Sequence, residues 1–220
     1  MRHPILLSLC LTGFVGLSAC EKNDDETVER AIQDVNVVDE TNLNDVMLTV
    51  ADPNEAVTYF ARASKAKPDR IDLQRGLAAS LVRAKRNTEG VTAWTKVTKM
   101  EGAEPQDSVN LADALIRSGE WTKAEQTLDT IPPTFETFER YRLEAMVADA
   151  GEEWSKADTF YETAVGLTTR PASVMNNWGY SKLTRGDYAE AERLFSDCLL
   201  YTSPSPRDCV SNLVCRLLLE

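Results

Sequence analysis

The sequence predicts an all-α solenoid of antiparallel helix pairs, and three observations carry that prediction. Self-similar units begin near residues 37, 71, 105, 138 and 172, a spacing of 34 with a single 33. Within each unit, apolar residues recur at i, i+3, i+4 and i+7, the stripe of a helix that buries one face. Small residues return at fixed places, where two helices must approach closely.

The unit beginning at Ala172 is the clearest. It places Trp178-Gly179 at positions 7 and 8, Gly186 at 15, Tyr188 at 17, Ala191 at 20 and Phe195 at 24. The unit from Phe138 repeats the frame with Ala145, Trp154, Ala157, Tyr161 and Ala164 at positions 8, 17, 20, 24 and 27. The unit from Pro105 does so with Leu111, Ala112, Leu115, Gly119, Trp121, Ala124, Leu128 and Ile131. From Ile71 come Leu77, Ala78, Leu81, Gly90, Trp94 and Val97. The unit from Val37 has a weak first helix, but Ala56, Phe60, Ala63 and Pro68 keep the register. This pattern resembles the tetratricopeptide repeat. It implies that the Trp and Tyr residues at positions 17 and 24 are core, and that stability comes from stacking neighbouring units. Pro132-Pro133 is expected to end the second helix of the third unit early.

Both ends read differently. Arg2 and His3 precede an apolar run from Ile5 to Ala19, too short to span a bilayer, so residues 1–19 are expected to be an export signal. Leu17-Ser18-Ala19-Cys20 resembles the lipobox of bacterial lipoproteins, which implies acylation of Cys20. Glu21 stands where the inner-membrane retention signal has Asp, so the resemblance implies an outer-membrane lipoprotein facing the periplasm. Residues 20–36 then form an acidic tether, and residues 37–197 the repeats. Residues 198–220 are expected to be non-native. Cys198 to Asp208 back-translates to the transposase adapter of sequencing libraries, and Asn212 to Leu219 to its downstream primer. On that reading the fifth unit is truncated in its second helix. Of the five cysteines only Cys20 would then remain in a mature native chain, leaving no disulfide framework.

Composition bounds the function. With 24 basic and 35 acidic side chains and a net charge of −11, the chain lacks the basic face that nucleic acid requires. Its one histidine, His3, lies in the export signal, so the commonest general base and metal ligand is missing from the repeats. No nucleophile elbow, phosphate loop, zinc-protease or dinucleotide motif occurs. Carboxylate pairs such as Glu152-Glu153 leave a cryptic hydrolase as the remaining enzymatic alternative. The expectation is a non-enzyme without cofactor, metal or small-molecule substrate, held to a membrane by its N-terminal lipid and binding protein partners.

The repeat resemblance implies a ligand groove along the first helix of each unit. Carried onto this chain, its candidate residues are Arg75, Arg83, Asn110, Arg117, Arg142, Asn177 and Tyr180, with Met146 and Asp149 beside them. The arginines would gather positive charge for an acidic peptide, and Asn110 and Asn177, both at position 6, would bond its backbone or terminal carboxylate. Four stretches are similar to the TadD-type lipoproteins of tight-adherence (Flp) pilus assembly. They are DETNLNDVMLTVADP (39–53), LVRAKRNTEGVTAW (81–94), DSVNLADALIRSGEW (107–121) and NNWGYSKLTRGDYAEAERLF (176–195). That resemblance implies a scaffold that helps the pilus secretin assemble in the outer membrane. The alternative is a general envelope adaptor for outer-membrane protein assembly or a periplasmic protease.

Overall fold

The computed structural model describes residues 42–202, so the export signal, Cys20, the tether and residues 203–220 lie outside the described residues. The chain divides into two compact units, Met1–Val46 and Met47–Glu220. Of the first, only residues 42–46 are described, and they are helical; α2 to α10 belong to the second.

After α1 (42–49) come α2 (Pro53–Ala66), α3 (Ile71–Arg83), α4 (Asn87–Val97), α5 (Pro105–Arg117), α6 (Trp121–Asp129), α7 (Phe138–Ala150), α8 (Trp154–Gly166), α9 (Ala172–Thr184) and α10 (Tyr188–Thr202). The described residues contain no strand. Local chemistry sets the starts. Pro53 and Pro105 occupy first turns, where a missing N–H costs nothing. The Asp52 carboxylate accepts from the Asn54 and Glu55 amides at 2.9 and 3.3 Å, and the Thr137 hydroxyl accepts from the Arg140 amide at 3.3 Å.

In the four pairs from α3 to α10 the turn puts position 15 in the left-handed region. Gly119 and Gly186 adopt it at φ 76° and 83°, but Lys85 and Glu152 adopt the same conformation at φ 59°. The pairs close over small residues: Ala78, Ala112 and Ala145 at position 8, and Ala56, Ala124 and Ala157 at position 20, are all fully buried. Position 24 fills the space between units, with Phe60, Trp94, Leu128, Tyr161 and Phe195 buried. The approach is closest at Gly76, where a Cβ would lie 2.3 Å from Phe60 Cε1. One core runs from α3 to α7, a second joins α7, α8 and α9, and a smaller one seats α2 on α3.

Position 17 corrects the sequence expectation. Tyr188 is 68% exposed and Trp121 38% exposed, and Trp154 is only half-buried. The residue at position 17 is the first of its helix, at the rim of the pair and outside the buried stripe. Pro132-Pro133 acts as expected: α6 stops at Asp129, and Arg140 holds the following loop by donating to the carbonyls of Pro132 and Phe135 at 2.9 and 3.2 Å. At the other end, α10 runs to Thr202, continuing beyond position 27 as the repeat frame expects. Cys198 is small enough for position 27 and is buried, with its sulfur 3.2 Å from the Ala172 carbonyl.

Candidate protein-binding face

The first helices α3, α5, α7 and α9 present positions 5, 6, 9, 12 and 13 along one face. Most expected site arginines on this face already have acceptors. Arg75 meets Asp107 through two parallel bonds, Nε to Oδ1 and Nη2 to Oδ2, both 2.8 Å, and gives a third to the Gly102 carbonyl. Its guanidinium is held more basic than usual, chiefly by the hydrogen bond to Asp107. Asp107 is 2% exposed and also accepts from the Glu104 amide at 2.8 Å, so one carboxylate caps α5 and ties α3 to it.

Arg117 donates to Asp113 at 2.6 Å one turn back, and Arg142 reaches the same carboxylate at 3.7 Å from α7. Arg83 turns to the backbone instead, donating to the carbonyls of Met47, Leu48 and Ala51. The positive charge expected of this face is therefore largely neutralised within the chain: three of the four guanidiniums face carboxylates. Asn110 accepts from Gln106 at 3.3 Å, and the Asn177 amide donates to the Met146 sulfur at 3.1 Å. A shallow hollow of about 210 Å³ remains here, between Val82, Asn110, Asp113 and Arg142.

Between α7 and α9 the face changes character. A pocket of about 420 Å³ opens between Trp121, Met146, Trp154, Tyr180 and Leu183, with Asp149 at its polar side. Tyr180 is 63% and Leu183 37% exposed. Trp121 joins them because position 17 faces this rim rather than the core. Asp149 accepts from the Tyr161 hydroxyl at 2.9 Å and the Ser181 hydroxyl at 2.7 Å. Burial raises the Asp149 carboxyl above the ordinary range despite these two bonds, and raises the Tyr161 hydroxyl as well.

The wall behind is pinned by Asp158 of α8, which accepts from Trp178 Nε1 at 2.7 Å, Lys182 at 3.0 Å and Arg185. Burial pushes the Asp158 carboxyl up, but these hydrogen bonds together outweigh it and hold it below the usual carboxylate range. Arg185 also lies over the Trp154 ring, 5.5 Å from its centroid. Of the expected residues, Tyr180 and Asn177 line this pocket, while Arg142 and Asn110 line the other hollow. The tryptophans and Leu183 escaped the sequence reading. The frame itself held the signal, since position 17 begins a helix and falls outside its buried stripe.

Solved structures share this arrangement. A thermophilic tetratricopeptide-repeat protein of Thermus thermophilus superposes with a TM-score of 0.65 at 16% identity, over 80% of this chain and 93% of that one. The fold is a tetratricopeptide-repeat solenoid. MamA from Desulfovibrio magneticus gives a TM-score of 0.59 at 17% identity, over 75% of this chain and 95% of that chain. The Cut9–Hcn1 hetero-tetramer of the APC/C gives 0.65 at 17% identity, over 80% of this chain but 35% of that one. At such identities the likeness establishes the solenoid's fold. No protein-family profile and no curated protein sequence matches the chain.

Proposed function

We propose that this chain is a lipid-anchored scaffold of the bacterial envelope that binds a protein partner along the face of its first helices. What supports a binding role is the opening between α7 and α9, where Trp121, Tyr180 and Leu183 stand exposed around one pocket. Single exposed apolar residues are ordinary on any surface, but several around a concavity mark a recognition site. The lipobox resemblance at Leu17-Ser18-Ala19-Cys20 supports the anchor, and Glu21 supports an outer-membrane address with the solenoid in the periplasm.

The partner in this reading is the secretin of a tight-adherence pilus, whose assembly in the outer membrane the scaffold assists. The four stretches similar to TadD-type lipoproteins carry that assignment. Deleting the gene and following heat-stable secretin multimers in outer-membrane fractions tests it. Loss of multimers, restored by the intact chain but not by Cys20→Ser, is expected. Normal multimers after deletion would end the pilus role and leave a general envelope adaptor.

A further inference from the structure

The chemistry of the partner is legible in the pocket between α7 and α9, granted that this face binds protein at all. Asp107, Asp113 and Asp158 each have a guanidinium or ammonium partner within the chain. Asp149 has none among the described residues: both its oxygens are taken up by hydroxyls, and Arg185, the cation whose charge it feels most, is bound to Asp158. It is the only charged side chain among the described residues that line the pocket, and it sits among Trp121, Met146, Trp154, Tyr180 and Leu183. Beside it Asn176 is half-buried, and its side chain makes no hydrogen bond to any described residue.

Each class of occupant meets this arrangement differently. An acidic segment would bring like charge against Asp149 in a chain whose net charge is already −11. A wholly apolar plug would strip water from the carboxylate and supply no countercharge, which is costly. A segment with an apolar side chain beside a cation satisfies both parts. The apolar group fills the volume between the tryptophans, the cation faces Asp149, and a guanidinium stacks on the exposed Trp121 or Tyr180 ring. The Asn176 amide is then free to take a backbone group of the segment.

We propose that this pocket takes a partner segment presenting an aliphatic or aromatic side chain next to an arginine or lysine. It thus selects basic-apolar sequence, the reverse of the acidic peptide that the arginines of the face first suggested. The residues that would carry it are Asp149 for the cation, Trp121, Tyr180 and Leu183 for the apolar group, and Asn176 for the backbone.

The test uses the full chain and three fluorescein-labelled peptides of one sequence, in which a Leu-Leu pair is followed by Arg, Gln or Glu, read by fluorescence anisotropy. The Arg peptide is expected to bind at least roughly tenfold more tightly than the Glu peptide, the size of one charge-assisted contact. Asp149→Asn should reduce that ratio to about threefold or less, with far-UV circular dichroism unchanged. The double variant Tyr180→Ala/Leu183→Ser, at exposed positions, should weaken all three peptides. Equal binding of the Arg and Glu peptides, an unchanged ratio in Asp149→Asn, or no saturable binding would overturn the inference. The scaffold role stands or falls separately, on the secretin multimers.

Discussion

Between α3 and α5 the first-helix face closes its charges onto themselves. Arg75 locks to a nearly inaccessible Asp107, and Asp113 holds two arginines from two different helices. Between α7 and α9 the same repeat positions are filled differently. Position 9 runs Ala79, Asp113, Met146, Tyr180 along the solenoid, and position 12 runs Val82, Ile116, Asp149, Leu183. The frame is constant, yet one end stitches repeats together with ion pairs while the other exposes rings around an unpaired carboxylate. A repeat supplies a chassis, and a few positions per unit decide whether a stretch of the face is structural or available for recognition.

The largest expected effect separates the two ends most sharply. Asp107→Ala removes one half of the capping box of α5 and leaves the Arg75 guanidinium without its bidentate partner. It should cost about 3 kcal/mol in urea unfolding, since breaking a desolvated pair is worse than replacing it. The exposed Tyr180→Ala should shift stability by no more than ~0.5 kcal/mol in the same experiment. If both cost the same, the division of labour along the face is mistaken. Next comes Gly76→Ala, whose new Cβ would meet the Phe60 ring at 2.3 Å. A net loss of about 1–2 kcal/mol is expected, because overpacking outweighs the helix propensity gained.

Acid titration compares two carboxylates of the open end. Asp149 holds its proton more tightly folded than unfolded. Its contribution to stability is therefore present below the unfolded pKa and lost as pH rises through the raised folded value. Asp158 is the opposite: its contribution is present above the unfolded pKa and lost as pH falls through its lowered folded value. Asp149→Asn should therefore gain on the unsubstituted chain as pH rises through the acid range, and Asp158→Asn should lose. Thermal unfolding midpoints across that range measure both trends, and parallel trends would show that the two carboxylates do not differ as described.

The smallest expected effect is shared by the two ends. Lys85→Gly and Glu152→Gly relieve a left-handed backbone at the same turn of different units. Each should raise stability by up to ~1 kcal/mol, with the unfolded-state entropy of glycine offsetting part of the gain.

Much of the solenoid was readable before the structure, because repeat register is a local property. Four units begin at Ile71, Pro105, Phe138 and Ala172, where small residues and turn glycines had placed them, and Pro132-Pro133 ended α6 as expected. The binding face was less readable. Arg75 and Asp107 are 32 residues apart, so their pairing depends on how two units stack, which no local pattern states. Trp121 and Trp154 looked like core because stacking of the repeats was expected to bury positions 17 and 24 alike; only their place at the first residue of a helix argued otherwise. Asn177 was expected to face a ligand; it lines the pocket, and the bond its amide gives to the Met146 sulfur 31 residues away could not be read from the sequence. Conversely, Asp149 passed as one groove residue among many, because its lack of a cation partner among the described residues shows only once its neighbours are placed.

The claim that the α7–α9 end is the recognition surface is tested most directly by amide hydrogen exchange on the full chain, with and without saturating Arg peptide. Added protection confined to the end of α7, the start of α8 and the second half of α9 is the expected result. Protection centred on α3 and α5, or spread evenly along the first helices, would contradict it.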